Sequence, residues 1–119
     1  MNSCKLTFVA FSLLTAMPCA LAATTNAPAH VVYAGVYGTG RIFVQLDATI
    51  NDSTCPSSRF DVAGTNPMNK QWLAIALAAQ ASGKTVGVQT YSCIAPGTEA
   101  NTTFPTLTTD GSSFFYINQ

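Results

Sequence analysis

The segment from Asn66 to Cys93 constrains the fold more than any other part of the chain, because it predicts one helix followed by one strand. Asn66 is a residue type that caps helix N-termini, and Pro67 suits the first helical turn, where its missing N–H would have had no partner. Gly83 tolerates the left-handed conformation that ends many helices. The segment therefore predicts a helix that ends at Gly83 and a strand that leads to Cys93.

The first 22 residues are predicted to be a signal peptide and are set aside from the fold. Lys5 precedes an apolar run, Leu6 to Ala16, which is shorter than the about 20 residues that a membrane-spanning helix needs. The small residues that follow match a signal-peptidase site, with cleavage after Ala22 or Ala23. We therefore expect an exported protein, secreted or periplasmic, with no membrane span.

Loss of the signal peptide leaves one pair of cysteines and a small negative charge. Cys4 and Cys19 leave with it, so Cys55 and Cys93 remain and are predicted to form a disulfide in an oxidising compartment. Closing that loop would stabilise the fold by about 4 kcal/mol on the chain-entropy model. Lys5 is one of five basic residues, so four remain against five acidic ones. The resulting net charge of −1 argues against nucleic acid as a partner.

The remainder is predicted to be a flexible N-terminus, residues 23–30, and a single domain, residues 31–119. Alternating apolar residues and strand-forming residues predict five strands, at residues 31–37, 42–50, 59–63, 84–92 and 112–118, with residues 94–105 as a loop. The resulting mainly β order, β-β-β-α-β-β, is that of the OB-fold, a five-stranded barrel. An open α+β sheet covered by one helix has the same order and remains the alternative.

The predicted helix has apolar residues on two sides. One side is expected to join the core through Met68, Trp72, Ile75 and Ala79. Leu73 and Leu77 lie well around the helix from that side, and a small domain covers two faces of a helix with difficulty. We therefore predict that Leu73 and Leu77 form an interface with a neighbouring subunit.

The sequence predicts no catalytic residues, no metal site and no cofactor. His30 is the only histidine, and one histidine makes no zinc site without several partners. Asp47 and Asp61 lie on neighbouring predicted strands and could form a carboxylate pair, although solvated aspartates on a strand face are the commoner state. Asp52 and Asp110 lie in turn-like segments, where Asx turns explain them. We therefore expect a protein without enzyme activity.

The tyrosines point towards a binding role. An exposed tyrosine can stack its apolar ring on a sugar and donate a hydrogen bond from its hydroxyl. Tyr37 and Tyr91 are the candidate glycan-binding residues. Packing in the core or in an interface is the alternative for each, since tyrosines are usually half-buried. Most of the phenylalanines are expected to fill the core.

The middle of the chain, roughly residues 40–93, resembles exported bacterial proteins of the AB5-toxin B-subunit type. The nearest groups are the subtilase-cytotoxin and pertussis-like B subunits. The resemblance rests on Cys55, an aromatic third strand, the run Leu73 to Ala79, Gly83-Lys84, Val86-x-Val88 and Cys93. It implies an OB-fold with a disulfide, a ring-shaped homo-oligomer (a pentamer), a host glycan as ligand and a catalytic A-type chain as a further partner.

Two functional hypotheses of different classes follow. The first is a secreted, non-catalytic binding module that recognises a cell-surface glycan as an oligomer. The second is a structural or inhibitory exoprotein that binds another protein and has no sugar site. The low charge and the second apolar side of the helix suit both hypotheses equally well.

Overall fold

The structure is a computed structural model that describes residues 23–25, 28–109 and 111–119. The predicted signal peptide, residues 1–22, and Asp110 lie outside the described residues. The elements in chain order are β1 (Ala23–Thr25), β2 (Ala29–Val36), β3 (Ile42–Asn51), β4 (Ser57–Val62), α1 (Asn69–Ser82), β5 (Thr85–Thr90), β6 (Cys93–Ile94), β7 (Phe104–Pro105) and β8 (Phe114–Ile117). The predicted mainly β fold with one helix is confirmed.

The main sheet is antiparallel and has five strand positions. β1 and β2 share one position, because each pairs with β3 on one side and with β5 on the other. β4 lies outside β3, and β8 lies outside β5. The order across the sheet is therefore β4, β3, β1 with β2, β5, β8. Regular structure begins earlier than expected, since β1 and the start of β2 lie within residues 23–30.

The sheet curls strongly but does not close. In a flat sheet its edge strands, β4 and β8, would lie roughly 19 Å apart at the usual strand spacing. Instead, the ring of Phe60 on β4 lies 5.2 Å from the ring of Phe115 on β8, centroid to centroid, and both side chains are buried. No hydrogen-bonded pairing joins β4 to β8 within the described residues. A closed barrel is thus not found, and the OB-fold expectation is not confirmed.

The helix covers the inner face of this curled sheet. It runs from Asn69 to Ser82 and ends at Gly83, which has the predicted left-handed conformation with φ of 69°. The helix begins later than predicted. Asn66 still acts in the turn before it, where its side-chain oxygen accepts a hydrogen bond from the Met68 N–H at 2.9 Å. No helix of the described residues has the length and hydropathy needed to cross a bilayer.

The buried face of the helix differs from the predicted stripe. Trp72, Ala76 and Ala79 are buried, and Leu73 and Ile75 pack against the core from the two sides. Met68, expected in the core, is exposed because it precedes the first helical residue. The buried face is therefore rotated towards Leu73, which belongs partly to the core. Leu77 is 45% exposed.

A small second sheet lies beside β4. Residues 94–105 were expected to form a loop, but β6 and β7 pair there as a two-stranded sheet. Thr106, which follows β7, makes a parallel bridge with Asp61 of β4. The disulfide between Cys55 and Cys93 is present, with the two Cα atoms 6.3 Å apart, and it ties the start of β6 to the loop before β4.

Candidate functional site

Three aromatic rings form a row on the outer face of the sheet, the face opposite the helix. Ile42, Val44 and Leu46 of β3 point into the core. The alternation of a strand therefore places Phe43 on the outer face, with Tyr33 and Tyr37 beside it. Phe43 lies 6.0 Å from Tyr33 and 5.0 Å from Tyr37, centroid to centroid. We call Tyr33, Phe43 and Tyr37 the aromatic row.

Gly35 makes this arrangement possible. It lies opposite Phe43 in the register of β2 and β3. A Cβ atom on Gly35 would lie 2.6 Å from Cζ of Phe43, so the ring occupies the space that any side chain at position 35 would need. Phe43 therefore crosses the backbone of β2 between Tyr33 and Tyr37. Tyr33 is the most exposed of the three, and its hydroxyl group lies 3.5 Å from the amide oxygen of Gln45.

Arg59 borders the aromatic row on the side of β4. Its guanidinium carbon lies 5.0 Å from the centroid of Phe43 and 4.4 Å from that of Phe104, so the cation is held between two rings. Its Nη2 also donates a hydrogen bond to the hydroxyl oxygen of Tyr37 at 3.2 Å. Arg59 thus fixes the positions of Tyr37 and Phe43.

A buried cluster of three charges lies beneath this edge. Asp61 is fully buried and accepts hydrogen bonds from two arginines. Arg41 Nε donates to Oδ2 at 2.8 Å, while Arg59 donates from Nε to Oδ1 at 2.6 Å and from Nη2 to Oδ2 at 2.8 Å. The hydrogen bonds that Arg59 donates to Asp61 raise the pKa of Arg59 above its already high ordinary value, so the residue stays cationic. We call Arg41, Arg59 and Asp61 the charge cluster.

A groove lies between the turn before the helix and the second sheet. Its volume is about 490 Å³, within the range of about 300–1,000 Å³ that is usual for ligand pockets. Threonine side chains, the disulfide and small apolar residues line it, among them Thr65, Asn66, Cys93, Thr106 and Thr108. Asn66 closes one side by donating a hydrogen bond to the carbonyl of Leu107 at 3.2 Å. The lining offers hydroxyl groups and little charge.

The structure brings one of the two predicted tyrosines to the aromatic row. Tyr37 belongs to it, whereas Tyr91 follows β5 and is half-buried, with its N–H donating to the carbonyl of Thr106 at 2.9 Å. No hydrogen bond or ring contact joins Tyr91 to Tyr37 in the described part of the chain. The two residues therefore do not form one site through direct contact.

The two candidate acids have unrelated surroundings. Asp47 is exposed and bonds to the backbone N–H of His30 at 2.6 Å and to its ring at 3.0 Å. The backbone hydrogen bond from His30 is the main reason that the pKa of Asp47 lies below its usual value. Asp61 is held by the two arginines, so the expectation of a solvated aspartate is wrong for Asp61. Each acid has its own partners and the carboxylate pair is not formed.

Asp52 forms the expected Asx turn and no metal site. Its Oδ1 accepts the N–H groups of Thr54 at 2.7 Å and Cys55 at 2.9 Å. Asp52 also lies near both sulfur atoms of the disulfide. Because the cysteine sulfurs are bonded to each other, neither is available as a thiolate ligand.

Sequence reasoning missed Tyr33 and Phe43 as members of a surface site. A signal for both was present. Tyr33, Gly35 and Tyr37 alternate along one predicted strand, which places all three on one face. Phe43 falls between two inward-facing residues of the next strand. What the sequence lacked was the register that sets Phe43 opposite Gly35.

Comparison with protein-family models, with curated proteins and with solved structures finds no match to this chain.

Proposed function

We propose that this protein is a secreted, non-catalytic binding module that recognises a cell-surface glycan through the aromatic row. The observation that carries the proposal is the adjacency of Tyr33, Phe43 and Tyr37 on the outer face of the sheet, where neighbouring rings are tilted by 53° and 66°. An exposed ring face in such a row can stack on the C–H face of a sugar unit. The polar groups beside them supply the hydrogen bonds that fix orientation.

The surroundings of the row favour recognition of a ligand over simple packing. Tyr33 is 45% exposed, although aromatic side chains are costly to leave in water. Gln45 and the tyrosine hydroxyls provide donors and acceptors within the same surface. Arg59 is already held by Asp61, so it orders the row before any ligand arrives. Pre-ordered side chains lose less entropy on binding.

A glycan array on the disulfide-bonded protein tests the proposal. Tyr33→Ala removes the most exposed ring of the row, so the array signal should fall at least tenfold while the melting temperature stays close to that of the wild type. Tyr116→Ala is the matched control. Tyr116 lies on the same outer face and is 48% exposed, but it covers Gly87 of β5, away from the row.

Two outcomes would refute the proposal. If the wild-type protein binds no glycan on the array, the proposed function is refuted. Equal losses in Tyr33→Ala and Tyr116→Ala would mean that the array signal does not depend on the aromatic row. The variant Tyr91→Ala tests the second predicted tyrosine by itself. It should retain glycan binding, because Tyr91 lies outside the aromatic row.

The resemblance to AB5-toxin B subunits extends the proposal to assembly. We infer a homo-oligomer, a pentamer by that resemblance, with an OB-like barrel as the closed form of the curled sheet and a catalytic A-type chain as a further partner. The strand order and the approach of Phe60 to Phe115 support the barrel. The disulfide and the charge balance support an exported protein, secreted or periplasmic, with no nucleic acid partner.

A protein partner is the second candidate, and one surface favours it. Leu77 is 45% exposed and Val32 is 51% exposed. Gln80 lies one helical turn after Leu77 and donates a hydrogen bond to the carbonyl of Val32 at 2.9 Å, so these two apolar residues share a surface. Such a surface would suit either a neighbouring subunit or a different protein.

A further inference from the structure

The second half of β2 has a neighbouring strand on one side only. β5 pairs with β2 at Ala29 and His30 and goes no further along it, because β5 begins at Thr85. Residues 31–36 of β2 pair with β3 and with no other strand of the described residues. We call residues 31–36 the open edge, and the sheet has a vacant strand position beside it.

The backbone of the open edge presents hydrogen-bonding groups to this vacant position. The N–H of Tyr37 bonds to the Arg41 carbonyl and the C=O of Tyr37 accepts from Gly40, so both groups face the side of β3. Successive residues of an antiparallel strand alternate in this respect, so the groups of Ala34 and Val36 face the vacant position. No hydrogen bond is made to them in the part of the chain that the structure describes.

The Val32 carbonyl shows what the vacant position accepts. It takes a hydrogen bond from the side-chain amide of Gln80 at 2.9 Å. An amide N–H of glutamine is chemically equivalent to a peptide N–H as a donor. Gln80 is exposed, and its amide stands where the N–H of an added strand would donate.

The sequence of the open edge does not discourage pairing with another chain. Natural edge strands are commonly protected by charged residues or by proline, or are covered by another segment. Residues 31–37, Val-Val-Tyr-Ala-Gly-Val-Tyr, contain neither a charge nor a proline. The edge strand β4, by contrast, is bridged by Thr106 at Asp61. Two copies of an uncharged strand can pair without the repulsion that like charges would cause.

Exposed apolar side chains lie along the open edge on the face that carries the helix. Val36 pairs with Ile42, which points into the core, so Val36 lies on the inner face, yet it is 55% exposed. Val32 and Leu77 are 51% and 45% exposed, and the bond from Gln80 brings them together at the same edge. An added strand would remove this apolar surface from water while it pairs with the backbone.

We propose that the open edge pairs with the open edge of a second copy of this chain, antiparallel and about a two-fold axis at Ala34. The Ala34 N–H of each copy donates to the Ala34 carbonyl of the other, and each Val36 N–H donates to the Val32 carbonyl across the seam. The same surface serves both copies, as a two-fold contact requires. The inference rests on the proposed homo-oligomer and specifies its contact.

This contact fixes a property of the assembly and leaves the aromatic row open. A two-fold contact joins copies in pairs, so the particle contains an even number of copies, either one pair or two rings joined face to face. A single ring uses contacts between unlike surfaces and does not contain this pair. Tyr33 lies on the outer face, where the paired sheets are continuous, so the rows of two copies adjoin.

Sedimentation velocity of the disulfide-bonded protein tests the contact with two variants of Ala34. Ala34→Pro removes the N–H that faces the second copy and keeps the bonds to β3, since an edge strand tolerates proline where its N–H points outward. We expect an even-numbered oligomer for the wild type and half its mass for Ala34→Pro. Ala34→Ser keeps the N–H and should assemble like the wild type.

A cysteine cross-link tests the register without a proline. The two copies of Ala34 lie opposite each other as a hydrogen-bonded pair, with Cα atoms about 5.5 Å apart, a separation that a disulfide spans. Ala34→Cys should therefore form a disulfide-linked dimer under mild oxidation, in much higher yield than Gly38→Cys. Gly38 lies in the turn between β2 and β3, and a Cβ there meets no atom within 4 Å.

The outcomes separate this inference from the proposed homo-oligomer and from glycan binding. A wild-type oligomer whose mass is unchanged in Ala34→Pro, or equal cross-linking of Ala34→Cys and Gly38→Cys, overturns the two-fold contact while the homo-oligomer stands. An odd number of copies, such as a single pentamer, overturns it as well. A strictly monomeric wild type refutes both the contact and the homo-oligomer, and the glycan array still decides glycan binding by itself.

Discussion

At the scale of single residues, the arrangement of Asp61 governs the candidate site. Its carboxylate holds Arg41 and Arg59 at once, and Arg59 in turn contacts the aromatic row through Phe43. The sequence suggested a solvated aspartate, because alternation along β4 correctly assigns Asp61 to the outer face. It could not reveal that the residues around Thr106 cover this position. Long-range coverage of a strand face leaves no local signal in the sequence.

Asp61→Asn should destabilise the fold by about 3–5 kcal/mol, the usual cost of removing one partner from a buried ion pair. The variant leaves two buried guanidinium groups without a negative partner. Chemical denaturation would measure the loss. Asp47→Asn is the control, and it should leave the denaturation midpoint almost unchanged because Asp47 is exposed. Equal effects of the two substitutions would contradict the role assigned to Asp61.

A second prediction at the scale of single residues concerns the pKa of Asp47. The pKa of Asp47 is lowered mainly by the backbone N–H of His30, with the histidine ring as a lesser cause. A carboxyl group with a lowered pKa stabilises the fold above the unfolded-state pKa. This contribution is lost as the pH falls through the folded-state value. His30→Ala removes the ring but keeps the backbone N–H at position 30. In this variant the pKa of Asp47 should therefore rise only in part and stay below its ordinary value.

An NMR titration of the Asp47 carboxyl carbon in wild type and His30→Ala would measure this difference. A return of the pKa to its ordinary value in the variant would show that the ring, not the backbone N–H, lowers it.

At the scale of elements, the helix was the best-predicted part of the chain. Gly83 ends it as the sequence indicated, because no other residue type takes a left-handed conformation at so little cost. The buried face was less well predicted. Trp72 and Ala79 are buried as predicted, but Met68 precedes the first helical residue, Asn69, and the third buried helix residue is Ala76, which the predicted stripe did not include. Alanine gives a weak hydrophobic signal, so periodicity alone favoured larger neighbours.

Gly83→Ala should destabilise the fold by about 1 kcal/mol, since a left-handed conformation is costly for a residue with a Cβ atom. No atom lies within 4 Å of the position that this Cβ would occupy, so the cost is conformational and not steric. Gly38→Ala is the matched control. A Cβ at Gly38 is equally free of contacts, but Gly38 has no positive φ. Chemical denaturation would measure both variants. A decrease of the denaturation midpoint in Gly38→Ala as large as in Gly83→Ala would contradict this explanation.

At the scale of the whole molecule, the order of the helix and the five main strands, β2 to β5 and β8, was predictable, whereas the short strands β1, β6 and β7 and the closure of the sheet were not. Turn residues and alternation located these main strands to within a few residues, and the two cysteines outside the predicted signal peptide allowed one disulfide. Closure depends on whether β4 and β8 come within hydrogen-bonding distance. Their side chains meet at Phe60 and Phe115 while their backbones remain unpaired among the described residues. Such a difference is set by curvature, which short sequence patterns do not encode.

The proposed assembly makes a prediction at the same scale. Sedimentation velocity should show the wild-type protein as a homo-oligomer and Leu77→Lys as a smaller species that is still folded, because a buried charge would disrupt an apolar interface. Met68→Lys, at another exposed apolar position, is the control and should still assemble. Leu73→Lys should instead lower stability, since Leu73 packs against the core. A strictly monomeric wild type would refute the proposed interface.

Glycan binding along the aromatic row, on the outer face of the sheet, is tested by an NMR titration with the glycan that gives the strongest array signal. We predict saturable shifts at Tyr33, Gly35 and Phe43, with the signals of Gly87 and Tyr116 unmoved. Shifts confined to Gly87 and Tyr116, or to the helix around Leu77, would contradict it.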